Sequence, residues 1–268
     1  VETNFARRLG EGKLTFYENA YVLHTAPIFL IGTTISTAAF PRLNDRLSQG
    51  RSDLFRRDFL NILRAIIWIT LPVVIISYFA RGYLARLIFS RDAPEIALIL
   101  GFFAGAILFR TIYTIMSRWF YAQKDTRTPL YVSLIAIALN IFLAYKLSKI
   151  YNVEGLALAQ SIVAAVEVAI LFVVMIIRDH KLLDAYFWKG ILWILSVSGF
   201  TVLAAYTMVS IFPLESSDRG FIQLGTKLAV ISVVTLLTHL TVSAIFGLAE
   251  AKAVTSRVRK FVLAQVKI

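Results

Sequence analysis

The sequence contains no cysteine, which excludes disulfide bonds, thiolate metal sites and cysteine nucleophiles. Charge is also scarce, because Asp, Glu, Lys and Arg make up 16% of the 268 residues, whereas a soluble domain carries about 25%. Seven runs contain none of these four residue types: Asn19–Pro41, Ala65–Ala80, Ile96–Phe109, Thr128–Tyr145, Gly155–Val166, Gly190–Leu214 and Leu228–Ala249. This pattern excludes an ordinary soluble domain.

These uncharged runs have the length of membrane spans. A helix needs about 20 apolar residues to cross a bilayer core about 30 Å thick. Three runs reach that length only if one charged residue is admitted in each, namely Arg64, Arg110 and Glu167. The sequence therefore predicts an all-α, polytopic helical membrane protein with about seven transmembrane helices, at 17–41, 60–80, 95–117, 129–145, 155–177, 190–212 and 228–249.

The charges that remain are distributed unevenly between the loops. The net charge is +12, and sixteen Lys and Arg residues fall in loops at one end of the predicted helices against ten at the other. By the positive-inside rule, the richer end, with the 42–58 loop and the C-terminus, is cytoplasmic. Membrane orientation accounts for the basic character, so we expect no nucleic-acid partner.

The sequence also lacks enzyme signatures. It has no HExxH, no GxSxG and no phosphate-binding loop. The three histidines, His24, His180 and His239, are scattered over different predicted helices or loops. We therefore expect no catalytic residues, no metal site and no cofactor.

Three segments are more specific than hydropathy. The first combines LGEG at 9–12 with Pro27 and IGTTISTAAFPRL at 31–43; the second is RWFYAQKDTRTP at 118–129, followed by Asn140; the third is GLALA at 155–159. Their order and spacing resemble the MurJ/MviN lipid II flippases, within the superfamily of multidrug, oligosaccharidyl-lipid and polysaccharide exporters. The resemblance covers about residues 1–180, and the FYAxxDTRTP stretch is its most specific element.

The resemblance implies the C-terminal lobe of a two-lobe transporter. Residues 1–180 would form the second-lobe bundle, from the end of the seventh helix to the twelfth, 181–249 two additional C-terminal transmembrane helices, and 250–268 a basic tail. The implied substrate is lipid II, an undecaprenyl-pyrophosphate-linked peptidoglycan precursor, moved across the cytoplasmic (inner) membrane of a bacterium by alternating access. Implied partners are this lipid-linked glycan, membrane lipids, and the first transmembrane lobe of the same protein, expected before Val1.

One position departs from the family pattern, because Val22 stands where an arginine is expected before Pro27. A pyrophosphate is bound through cationic donors. Two alternatives therefore stay open, an exporter of another polyprenyl-linked oligosaccharide and a degenerate membrane scaffold that does not transport. The tail at 250–268 also has two interpretations, an interfacial helix on anionic lipid or a frayed basic end.

Polar residues inside the third span are the main candidates for substrate binding. Arg110, Thr114 and Ser117 recur at i, i+4 and i+7, so they share one helix face, which Arg118 borders. The functional interpretation is a cationic stripe that lines the transport cavity. The alternative is that the side chain of Arg110 extends to the membrane interface.

A second polar face lies in the fifth span. Gln160 and Glu167 share it, and Glu167 is close to the bilayer midplane, where a lone carboxylate costs about 2.5–3.5 kcal/mol. Glu167 is therefore expected to partner Arg110, to form a cation-coupling site, or to be a protonated carboxyl bonded to a neighbouring helix.

The remaining candidates have mainly structural interpretations. Thr25, with Gly32 and Ser36, forms a small polar face that suits close helix packing or cavity lining. Pro27 and Pro72 lie inside helices, where kinks are expected. Asp125 or Thr126 is expected to cap the helix in which Pro129 occupies the first turn. The external loop at 82–94 is expected to hold a short interfacial helix.

Overall fold

The computed structural model describes residues 2–10, 12–89, 92–218, 220–252, 254 and 256. Over these residues the chain forms helices and short turns without strands, which confirms the all-α prediction. The helices are α1 (Glu2–Arg8), α2 (Lys13–Pro27), α3 (Thr34–Ser48), α4 (Ser52–Phe79), α5 (Arg81–Phe89), α6 (Ala93–Phe102), α7 (Ala104–Ala122), α8 (Arg127–Arg178), α9 (Ala185–Ile211) and α10 (Phe221–Ile245), with a π-helical turn (Ile28–Thr33) that joins α2 to α3.

Five helical stretches of the described chain are long and apolar enough to cross a membrane, and α6 with α7 provides a sixth as a pair bent by 49°. The longest stretch, α8, has 52 residues and would extend about 78 Å if straight. It is broken at Asn152, whose φ of 52° and ψ of −130° are not helical. A Cβ on Gly155 would overlap the carbonyl oxygen of Leu147, so the chain turns back there and α8 provides two spans. The seven predicted spans are recovered in this way.

The helix breaks do not follow the prolines alone. Pro27 comes directly before the π-helical turn, as expected for a kink, but Pro72 lies inside the uninterrupted α4. The bend between α6 and α7 occurs at Phe103, where no kink was predicted. The hydroxyl of Ser161 on α8 stabilises it, because this oxygen donates to the Phe102 carbonyl (2.6 Å) and accepts from the Ala106 amide (2.9 Å).

Two apolar clusters hold the bundle together. One joins α4, α7 and the second half of α8 around Phe59, Ile115 and Leu171. The other joins α2, α6 and the middle of α8 around Tyr17 and other buried side chains. Arg110 lies on α7 and Glu167 on the second half of α8. The packing of α7 against α8 places these two charged residues next to each other.

The last two helices pack on α4 through buried polar contacts. The indole Nε1 of Trp68 donates to the hydroxyl of Ser243 on α10 at 2.8 Å. The imidazole of His239 lies 3.1 Å from the Trp68 carbonyl through Nε2 and 2.8 Å from the Thr201 hydroxyl through Nδ1. These bonds fix α9 and α10 against the bundle. Of the predicted tail at 250–268, residues 253, 255 and 257–268 lie outside the described residues.

Candidate functional site

An ion pair between two membrane-spanning helices forms the centre of the candidate site. The Nη1 atom of Arg110 on α7 lies 2.6 Å from Oε2 of Glu167 on α8. The Nη2 atom of the same guanidinium donates to Oε1 of Gln160 at 3.3 Å. Gln160 and Glu167 are seven residues apart and therefore lie on the same side of α8, which faces α7.

The two charges of this pair differ in exposure. The side chain of Glu167 is 2% exposed, whereas that of Arg110 is 31% exposed. The second carboxylate oxygen of Glu167 accepts from the hydroxyl of Ser133 at 3.0 Å, so both of its oxygens are occupied. The guanidinium has five N–H donors, of which two bond Glu167 and Gln160, and the Arg110 side chain is not fully buried.

A hydrogen-bond network extends from this pair along α8 to α1. The amide of Gln160 donates to Oε1 of Glu2 at 2.6 Å, and the amide of Asn140 donates to the same oxygen. On the other side, the Tyr113 hydroxyl lies 3.1 Å from that of Ser133. Since the proton of Ser133 is given to Glu167, Tyr113 is the donor in this contact. The network therefore holds two carboxylates and one guanidinium.

Glu2, Ser133 and Tyr113 are not among the site residues that the sequence predicts. Ser133 and Asn140 are seven residues apart in α8, which is a helical-face signal of the same kind that linked Gln160 to Glu167. Glu2 gave no such signal, because α1 has seven residues and its position depends on how it packs against α8.

The rest of the predicted stripe on α7 makes contacts between helices. Thr114 shares a hydrogen bond of 2.9 Å with Ser36 on α3, and its Oγ also donates to the Thr111 carbonyl. Ser117 is buried and donates to the Thr114 carbonyl within its own helix. The Thr114 hydroxyl therefore lies in the contact of α7 with α3, and neither hydroxyl is bonded to Arg110.

Close packing explains the small polar face of the first span. A Cβ on Gly32 would come within 2.9 Å of the Thr114 Oγ and within 3.2 Å of the Thr111 Cα. This contact favours the packing interpretation of the face. The hydroxyl of Thr25 donates to the carbonyls of Tyr21 and Val22 in its own helix.

Arg118 lies near the end of α7, apart from the ion pair. Its guanidinium lies 5.1 Å from the centre of the Phe40 ring, and its Nη2 is 3.5 Å from the Thr37 hydroxyl.

Val22, which replaces the expected arginine, is 62% exposed. Within the described residues, the face of α2 that carries Val22 therefore presents an apolar side chain.

Asp125 organises the turn before α8, in which Thr126 is the N-cap residue. Its carboxylate accepts from the Arg127 and Thr128 amides at 2.9 and 3.0 Å and is paired with Arg178. Desolvation acts to raise the pKa of Asp125, but the hydrogen bonds from Thr128 and Arg178 outweigh it and lower this pKa to about 2. Pro129 is the third residue of α8, where its missing N–H leaves no bond unmade. Over the described residues, no group of three or more His, Asp or Glu is arranged to hold a metal ion.

Comparison with known proteins identifies the family. The model of the family described as lipid II flippase MurJ matches residues 1–250. A probable lipid II flippase MurJ of Borreliella burgdorferi is 23% identical over 81% of this chain and 43% of its own length. The corresponding protein of Thermotoga maritima is 26% identical over 60% of this chain and 34% of its own length. The chain spans less than half the length of these curated relatives.

A solved structure has the same fold. It is a lipid II flippase MurJ in an inward closed conformation, and it matches with a TM-score of 0.70 at 20% identity, over 87% of this chain and 47% of that protein. At this identity the likeness shows the fold alone. Since the family model covers all but the last residues of the sequence, the chain belongs to the MurJ family of lipid II flippases.

Proposed function

We propose that this chain is the second lobe of a transporter that moves lipid II across the cytoplasmic membrane by alternating access. The relatives are about twice as long as the matched region, which fits a pairing with a first transmembrane lobe of the same protein. In a transporter of two repeats, the substrate site lies between the lobes near the bilayer midplane. The chain then acts as a transporter and not as an enzyme.

The observation that carries this proposal is the partly exposed, paired side chain of Arg110. It lies inside a span and is held by Glu167 and Gln160, yet 31% of its side chain remains exposed. A pyrophosphate is an anion with several acceptor oxygens, and arginine binds such groups with charge-assisted hydrogen bonds. Arg110 is the donor that we assign to the substrate, with Arg118 as a second cation nearer the membrane interface.

Glu167 has a complementary role in this mechanism. Between transport events it neutralises Arg110, which keeps the cost of an unpaired charge in the membrane low. When the pyrophosphate arrives, its oxygens compete with the carboxylate for the guanidinium. Loss of this competition in Glu167→Gln should therefore slow turnover more than it weakens binding.

We further propose that the chain lies in the inner membrane of a bacterium with the 42–58 loop and the C-terminus in the cytoplasm. The excess of Lys and Arg at that end supports this orientation. Membrane lipids and the lipid-linked glycan are then its partners.

The test is complementation in a bacterium whose own flippase can be depleted. The protein that carries this chain together with its first lobe is supplied as wild type, Arg110→Ala or Arg110→Lys, and lipid II accessible at the outer surface is measured. Hydrogen bonds to a charged group contribute about 1.5–3 kcal/mol, so Arg110→Ala should lower transport more than about tenfold. Arg110→Lys keeps the charge but loses the planar fork, and should be intermediate.

Arg46→Ala is the matched control. Arg46 has a similar exposure of 28% and also pairs with a carboxylate, that of Asp58, but it lies at the end of α3 outside the site. Membrane levels are compared by immunoblot. Normal transport by Arg110→Ala at normal levels would place the pyrophosphate site elsewhere. In liposomes, residues 1–268 alone should move no lipid II, because alternating access needs both lobes.

A further inference from the structure

A second charged residue within a span, Arg64, is sealed into the packing of α4. Its Nη2 atom lies 2.8 Å from Oε1 of Glu250, which follows α10, and the two side chains are 5% and 6% exposed. The guanidinium lies 4.8 Å from the Tyr186 ring centre and against Gly190, where a Cβ would overlap it. Among the described residues, Nε of Arg64 has no hydrogen-bond partner.

Arg64 forms part of the wall between two cavities at the end of the molecule that carries the 42–58 loop. The larger, of about 760 Å³, has charges of both signs in its wall, including Arg57, Lys181 and Asp53. The smaller, of about 460 Å³, is different, because its described wall contains three cations and no carboxylate: Arg64, Lys189 and Lys252.

Aromatic side chains complete the wall of the smaller cavity. Trp193 and Phe246 pack together with ring centres 5.1 Å apart, and each is partly exposed on the outer surface of the bundle. Tryptophan is enriched at the level of lipid head groups, where its ring contacts acyl chains and its N–H contacts polar groups. Gly190 gives room to the Arg64 guanidinium, and no atom lies within 4 Å of the position that a Cβ on Gly247 would take.

We propose that this smaller cavity binds the phosphate of an anionic glycerophospholipid. Arg64 lines this cavity while its pair with Glu250 stays intact. Lys189 and Lys252 supply charge at the mouth, and Trp193 with Phe246 contacts the first part of an acyl chain. Basic pockets between spanning helices at a membrane interface suit such head groups. The apolar, outward-facing rim favours a lipid phosphate over a soluble one. This site is separate from Arg110 and does not depend on the transport proposal.

Native mass spectrometry of the full chain in a neutral detergent tests the proposal. Phosphatidylglycerol and phosphatidylcholine with the same acyl chains are titrated, and glycerol phosphate serves as the soluble anion. Each Lys or Arg near a membrane surface changes binding of an anionic lipid about fivefold. We therefore expect phosphatidylglycerol to bind about tenfold more tightly than phosphatidylcholine and Lys189→Gln to weaken it about fivefold, with phosphatidylcholine unchanged.

The control variant is Lys124→Gln, which removes one positive charge from an exposed loop at the same end of the molecule. Lys189 is exposed, so its replacement tests the site even if Arg64→Gln fails to fold. An equal effect of Lys124→Gln and Lys189→Gln would show only general surface attraction and overturn the proposal. Equal affinities of the two lipids, or equally tight binding of glycerol phosphate, would overturn it as well.

Discussion

Removal of the Arg110 guanidinium should isolate a buried carboxylate and lower stability. Glu167 is 2% exposed and has Arg110 and Ser133 as its partners. Breaking a buried ion pair by removal of one partner costs about 3–5 kcal/mol. Because 31% of the Arg110 side chain is exposed, water relieves part of this cost, and we expect Arg110→Ala to lower the free energy of unfolding by about 3 kcal/mol.

The same geometry predicts that a second change rescues the first. Glu167→Gln keeps the side-chain volume and an oxygen acceptor for Arg110, so alone it should cost about 1 kcal/mol. In the double variant the buried group is a neutral amide, which needs no cation. The double variant should therefore lose about 2 kcal/mol, which is less than Arg110→Ala loses alone.

Thermal unfolding of the purified chain in detergent measures this coupling. For a chain of this size, 1 kcal/mol shifts Tm by about 2–4 °C, so Arg110→Ala should melt about 6–12 °C below the wild type. The double variant should melt above Arg110→Ala. If the double variant instead loses the sum of the two single losses, the charges do not interact, and the explanation of the site as an ion pair is wrong.

Two other predictions concern topology and acid stability. Five spans separate Ser48 from Ser217, so single cysteines at these positions should react with an impermeant maleimide from opposite sides; labelling from one side would contradict the seven-span topology. Folding lowers the pKa of Asp125 to about 2, so the ionised carboxylate stabilises the folded state. This stabilisation is complete above about pH 4 and is lost as the pH falls toward 2. Asp125→Asn should cost up to about 1 kcal/mol at pH 7, because the amide loses the ion pair with Arg178. Between pH 4 and 2 the variant should lose less stability than the wild type, and equal acid sensitivity would count against this role of the carboxylate.

Much of the fold could be predicted from the sequence because a membrane imposes a simple rule on charge. Uncharged runs of the right length give the number and positions of the spans. Helical periodicity also placed Arg110, Gln160 and Glu167 on defined faces of α7 and α8. That these faces meet depends on how α7 packs against α8, and periodicity within one helix does not contain this information.

Helix breaks and distant pairs were harder to predict for a related reason. The bend at Phe103 is stabilised by Ser161, a residue 58 positions later in the sequence, and a proline is not involved. Pro72 remains within a continuous helix. Similarly, Arg64 was recognised as a charge inside a span, but its partner Glu250 lies at the other end of the sequence. Such contacts depend on tertiary packing.

The two arginines inside spans show that pairing alone does not define a substrate site. Arg64 and Arg110 each have one carboxylate partner within 3 Å. Pairing is what the membrane requires of any charge at such depth, so it cannot separate a structural arginine from a functional one. The two differ in exposure, because the side chain of Arg64 is 5% exposed and that of Arg110 is 31% exposed, and our proposal assigns the substrate to Arg110 on this difference. A moving pyrophosphate needs donors that it can reach and leave, and of these two arginines Arg110 has the more exposed side chain. The sealed guanidinium can serve only a ligand that enters its own cavity and stays.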